Sequence, residues 1–108
     1  MKYLSRPEEL VLLAIWKLGE ASYGVNIRKC ILELTGKYWS IGSIYVPLDR
    51  LENKGYVTSY LADPTPERGG KSKRYYTLTD EGVEELKEIQ KVYNAFWGNL
   101  SDLNPKRT

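Results

Sequence analysis

Five residues, Gly42, Ser43, Val46, Arg50 and Asn53, fall on one face if the stretch from Ile41 to Val57 winds as a helix at about 100° per residue. They set small or hydrogen-bonding groups early and a cation one turn later. Such a face suits a flat, polar surface, and a helix amino terminus capped by Ser40 favours an anion. A second set, Arg68, Lys71, Lys73 and Arg74, is opposed only by Glu67 and runs into Tyr75 and Tyr76. Four cations so close together either attract a polyanion or are simply solvated. In both sets the chemistry is noncovalent recognition.

Covalent chemistry finds little support. The chain has no histidine and one cysteine, so Ser-His and Cys-His dyads, imidazole ligands and zinc clusters are excluded, and no cofactor is implied. The carboxylate pairs Glu8-Glu9, Asp80-Glu81 and Glu84-Glu85 read as solvated or capping charges on helices. Gly69-Gly70 lies between strand-like runs and lacks the strand-loop-helix setting of a phosphate loop. Cys30, among Ile27, Ile31 and Leu34, reads as a buried, inert thiol.

The elements that must position these residues are legible from their ends. Ser5-Arg6-Pro7-Glu8 has the form of a capping box and opens a first helix, which Gly19 closes. Its residues Leu10 to Leu18 are apolar on nearly every side, as expected for a helix central to the core or to a partner contact. Ser22 or Tyr23 opens a second helix with Ile27, Ile31 and Leu34 inward, and Gly36 stops it. A short loop leads to the third, which turns Ile41, Ile44, Leu48 and Leu51 toward a core. Trp39 is placed to staple onto Ile44, Pro47 should bend the helix, and Gly55 ends it. Two helices joined by so few residues form a helix-turn-helix.

Tyr56 to Leu61 and Lys73 to Leu78 then alternate as strands, joined by a loop with Pro64, Pro66, Gly69 and Gly70 that is too irregular for a tight hairpin turn. Thr79 caps a last helix whose Leu86, Ile89, Tyr93, Phe96, Leu100 and Leu103 alternate spacings of three and four, a seam typical of helix pairing. The expected architecture is mainly α with a small β-ribbon: a winged helix-turn-helix over residues 1–78 and a dimerisation helix over 79–108. At 108 residues it is one compact unit. No apolar run approaches a membrane span and the start lacks a secretory signal, so a cytoplasmic protein is expected. The net charge of +2 is unevenly spread: residues 1–78 carry twelve basic and eight acidic side chains, residues 79–108 four and six.

Tyr23-Gly24, then GSIYVPLDRLENKGYVTSY at 42–60, then GGKSKRYYTLTDEG at 69–82 together resemble the PadR family of transcriptional regulators, over residues 5 to about 90. One departure is that Val46 stands between Tyr45 and Pro47, where the family commonly has proline directly after the tyrosine. The resemblance implies a sequence-specific DNA-binding regulator, a repressor joined as a homodimer through its first and last helices and acting on a pseudo-palindromic operator. DNA contacts then fall to Ser40, Gly42, Ser43, Tyr45, Val46, Arg50, Arg68, Lys71, Lys73 and Arg74. Tyr45 is either a phosphate contact or an aromatic at the core edge, and Arg50 either contacts DNA or pairs with Asp49 or Glu52. The dimer interface falls to Trp16, Leu86, Ile89, Tyr93, Phe96, Trp97 and Leu100. Some relatives hold planar ligands between dimer-related helices, which makes Trp16, Tyr93, Phe96 and Trp97 either dimer core or the lining of a pocket for a small aromatic effector. The alternative function is a protein-interaction module without DNA binding, using Tyr56, Tyr60, Tyr75 and Tyr76.

Overall fold

The computed structural model describes residues 3–62 and 72–98. Helix α1 spans Arg6–Leu18, α2 Gly24–Thr35 and α3 Ile41–Asn53, followed by strands β1 (Val57–Leu61) and β2 (Arg74–Leu78) and helix α4 (Asp80–Trp97). A single 3₁₀ turn over Gly19–Ala21 links α1 to α2. The strands are antiparallel, with Val57 opposite Leu78 and Leu61 opposite Arg74. Each begins one residue later than the alternation of side chains suggests.

Local chemistry sets most helix ends. Ser5 and Glu8 form the reciprocal capping box, with the Ser5 amide donating to Glu8 Oε1 at 2.7 Å. Thr79 Oγ1 accepts from the Gly82 amide at 3.0 Å and starts α4. Gly36 closes α2 at φ 72°, a left-handed conformation that a side chain disfavours. Helix α3 runs unbroken through a buried Pro47.

The core gathers Val11, Leu12 and Ile15 of α1, Ile27 and Ile31 of α2, Ile44, Leu48 and Leu51 of α3, Val57 of β1 and Tyr76 of β2. Two residues expected inside are not. Ile41 is 40% exposed and Leu34 63% exposed. Both stand at the free ends of their helices, where the three-helix packing has run out, and Cys30 fills the inward position one turn before Leu34. Trp39 is partly buried and packs against this core. On α1 the buried side carries Val11, Leu12, Ala14 and Ile15, while Leu13 and Trp16 face out.

The wing is more firmly attached than two strands alone would be. Tyr23, just before α2, forms an isolated β-bridge with Tyr75, and the Tyr76 amide donates to the Ser22 carbonyl at 2.8 Å. Ser22 is fully buried, its hydroxyl donating to the carbonyls of Ile15 and Gly19. The short α1–α2 turn therefore acts as a third, minimal strand. Burial pushes the Tyr76 phenol up to about 12, so it stays neutral at any ordinary pH.

Candidate nucleic-acid interface

Ser40 ends the α2–α3 loop in an extended conformation, and its hydroxyl accepts from the Ser43 amide at 3.2 Å and lies 2.8 Å from the Ser43 hydroxyl. The cap thus joins the first two serines of the face. Gly42 beside them has open space where a Cβ would stand, so nothing among the described residues requires glycine there. Val46 and Arg50 continue the same exposed face. Arg50 forms no ion pair among the described residues. Glu52, the alternative partner, accepts from the Ser59 hydroxyl through Oε2 at 2.8 Å.

Tyr45 lies at the edge of this face. A Cβ on Gly24 would come within 2.7 Å of the Tyr45 hydroxyl oxygen, so the ring leans across the start of α2 while remaining 42% exposed. It is a core-edge aromatic in the free protein. The Tyr23-Gly24 pair thereby acquires two separate reasons: an aromatic that bridges to the wing and a gap that admits Tyr45.

Cations missed in the sequence flank the same helix. Arg28 Nη1 donates to the Tyr38 hydroxyl at 2.9 Å, and its guanidinium stands 5.3 Å from the centre of that ring. Lys37 is exposed beside them in the loop before α3. The signal was present only as a basic residue on α2 and an aromatic ten positions later, a pairing that helical periodicity does not report.

The wing cations are less free than their spacing implies. Lys73 Nζ sits 3.9 Å from the centre of the Tyr23 ring, a cation–π contact. Tyr75 packs edge-on against Tyr23 and stacks on Tyr60 at 5.7 Å. Arg74 Nη1 donates to the Ser59 hydroxyl at 2.9 Å. Arg68 and Lys71 lie outside the described residues. The four tyrosines suggested as a protein-docking set do not form one, since Tyr76 is buried, Tyr56 and Tyr75 are half-buried and only Tyr60 stands open.

Two sets of contacts hold the helix-turn-helix to the rest of the chain. Buried Glu8 at the start of α1 receives Lys54 Nζ on both oxygens, at 3.0 and 3.1 Å, and so ties α1 to the end of α3. At the other corner, the Thr79 hydroxyl donates to the Gly55 carbonyl at 2.6 Å and its amide to that of Tyr56 at 3.0 Å. These contacts seat α4 on the α3–β1 turn, where Gly82 is buried against the Tyr56 carbonyl.

Helix α4 itself is half-clad. Leu86 and Ile89 pack against the chain's own core, while Trp16, Tyr93, Phe96 and Trp97 are exposed. Trp16 and Tyr93 line a groove of about 440 Å³ between α1 and α4, floored by Leu13, Leu86 and Ile89. Phe96 and Trp97 stand beyond it, and Leu100 lies outside the described residues. Tyr93 donates to Glu9 Oε1 at 2.7 Å, and that bond holds its phenol above the usual tyrosine range.

A helix-turn-helix backed by an anchored two-stranded wing, with an open, cation-flanked outer face on its third helix, defines a winged-helix protein of the DNA-binding class. The profile of the transcriptional regulator PadR-like family matches residues 11–88, and the chain belongs to that family. It is a DNA-binding transcriptional regulator and not an enzyme. Its fold superposes on a PadR family transcription regulator from Clostridium difficile, 28% identical with TM-score 0.66, over 85% of this chain and 90% of that one. It also matches smu.1704 from Streptococcus mutans, 27% identical with TM-score 0.71, over 100% and 97% of the two chains. A PadR-like transcriptional regulator from Bacillus cereus is 25% identical with TM-score 0.68, over 90% and 92%. No curated protein matches the chain significantly. No helix among the described residues is long and apolar enough to cross a membrane.

Proposed function

We propose that the protein is a homodimeric repressor that inserts α3 of each subunit into successive major grooves of a pseudo-palindromic operator. The observation that carries this reading is the outer face of α3. Gly42, Ser43, Val46 and Arg50 are exposed, Arg50 is committed to no carboxylate among the described residues, and Arg28 and Lys37 flank the helix start. Ser40, Ser43 and Arg50 supply donors for phosphates or base edges, Val46 suits a thymine methyl, and Tyr45 contacts backbone at the margin. Lys73 and Arg74, with Arg68 and Lys71, add salt-sensitive attraction from the wing.

Residues 79–108 serve as the dimerisation segment in this reading. The apolar side chains that α1 and α4 leave open, Leu13, Trp16, Val83, Tyr93, Phe96 and Trp97, support it, because a second copy would remove them from water. A small aromatic effector would enter the groove between α1 and α4, against Trp16 and Tyr93, and loosen the operator complex. Dimer symmetry would set the half-site spacing.

The test is fluorescence anisotropy on a duplex of about 30 base pairs, roughly three turns of about 10 base pairs each, from upstream of the protein's own gene, against a scrambled duplex at several salt concentrations. Tighter binding to the native duplex, weakening with salt, is expected. Equal weak binding would place the operator elsewhere, and no binding to either at low salt would remove the DNA reading.

Gly42 offers a sharper check. Alanine there meets no atom of the described residues and should stabilise α3 by up to about 1 kcal/mol through helix propensity. The same methyl group stands on the DNA side and should weaken operator binding roughly tenfold, a cost of about 1.4 kcal/mol for a contact it displaces. A melting temperature and a Kd that both rise, stability gained while affinity is lost, is the expected result, and an unchanged Kd would move the interface off the start of α3.

A further inference from the structure

We propose that Ser59 and Glu52 are positioning residues for DNA recognition, holding the wing arginine Arg74 at a set angle to α3 so that helix and wing engage the duplex as one unit. The inference rests on the DNA-binding reading above. Its basis is a relay across three elements. Arg74 at the start of β2 donates through Nη1 to the Ser59 hydroxyl at 2.9 Å, and that hydroxyl donates to Glu52 Oε2 in the last turn of α3 at 2.8 Å.

The strand register makes the relay available. Ser59 lies opposite Tyr76 and Leu61 opposite Arg74, so Ser59 and Arg74 are diagonal neighbours on the sheet face that also carries Tyr76 and Val57 to the core. A hydroxyl suits the middle position because it accepts from the guanidinium and donates to the carboxylate at once. Alanine can do neither.

Only one of the five guanidinium N–H groups of Arg74 is used among the described residues. The rest of the fork is left for a phosphate, which it can hold with two parallel bonds once its plane is fixed. The consequence falls on specificity more than on raw attraction. An untethered arginine reaches phosphates in many registers, whereas a tethered one is satisfied only where α3 is seated in its groove. Glu52, which a simple count of charges would place against DNA binding, is thereby assigned a constructive role.

The experiment compares Ser59→Ala, Ser59→Thr and Glu52→Gln in the full chain, by anisotropy on the operator duplex and a scrambled one, with thermal melts alongside. Ser59→Ala should lower the ratio of specific to nonspecific affinity roughly tenfold, within the range spanned by one lost specific contact, while leaving nonspecific affinity and melting temperature near wild type. Ser59→Thr keeps the hydroxyl and should restore the ratio. Glu52→Gln keeps an acceptor and should hold the ratio while steepening the salt dependence, because Arg74 then faces no carboxylate through the relay. A wild-type ratio in Ser59→Ala overturns the relay, as does a parallel fall in both affinities that tracks a fall in melting temperature. Wild-type protein that binds neither duplex overturns the DNA-binding reading itself.

Discussion

Replacing Gly82 by alanine should lower the melting temperature by about 15 °C, from a destabilisation of about 3 kcal/mol in a domain of this size. The added Cβ would fall inside the van der Waals envelope of the Tyr56 carbonyl oxygen, a backbone atom with nowhere to swing. That carbonyl also accepts the Thr79 amide at 3.0 Å, so α4 can retreat only by breaking the bonds that seat Thr79 on Gly55 and Tyr56. Contrast Gly24, where the obstructed atom is the far end of the Tyr45 side chain and can rotate away. Calorimetry of Gly82→Ala checks the expectation, and a shift of less than a few degrees would show that α4 is not seated as described.

The second large effect concerns Glu8 and Lys54. A carboxylate with 2% exposure survives at α1 because the Ser5 amide and Lys54 Nζ both donate to it. Burial alone would raise its pKa, but the donor from the Ser5 backbone, the bonds from Lys54 and Ser5 and the charge of Lys54 together hold it below 4.5. Lys54→Met leaves that charge with half its support and should cost about 2 kcal/mol, less than for a wholly buried pair because Lys54 keeps some solvent. A melting temperature lower by about 10 °C at pH 7 is expected.

The pH dependence has a definite sign. A carboxyl held below its unfolded value stabilises the fold above that value and loses the contribution as pH falls through its folded pKa. Acid should therefore weaken the wild type in the region below pH 4.5, and the gap between wild type and Lys54→Met should close there, since a neutral Glu8 gains nothing from an ammonium. Glu85 works the other way. Burial first, then Glu88 and Glu9, hold its carboxyl above 4.5, so its charge costs stability at neutral pH and acid relieves it. Lys54 is also the charge that partly offsets this cost, so Lys54→Met enlarges it, and its relief by acid closes the gap in the same direction. A gap that stays constant to pH 3 would contradict the assignment.

What could be read from the sequence was local. Ser5 and Glu8 are three residues apart, as are Thr79 and Gly82, and Gly36 ends its helix by its own conformation, so these boundaries need no tertiary knowledge. The exposed face of α3 was legible for the same reason: Gly42, Val46 and Arg50 follow from periodicity once Ile44, Leu48 and Leu51 are taken as the inner stripe. Periodicity failed at helix ends, where Ile41 and Leu34 keep the spacing but find no neighbour to pack on. It was also blind to pairs distant in the chain. Lys54 lies 46 positions from Glu8, Tyr75 pairs with Tyr23, and the Glu52–Ser59–Arg74 relay joins three elements. The wing cations were found as charges, but their tethering by Tyr23 and Ser59 depends on strand register, which composition does not encode.

The most direct test of the account is enrichment from a library of random duplexes, followed by sequencing of what the purified protein retains. A symmetric winged-helix dimer reading through α3 should recover a pseudo-palindromic motif whose half-sites lie about 10 base pairs apart or a multiple of that. Retained DNA indistinguishable in sequence from the input would contradict the claim that the outer face of α3 reads bases.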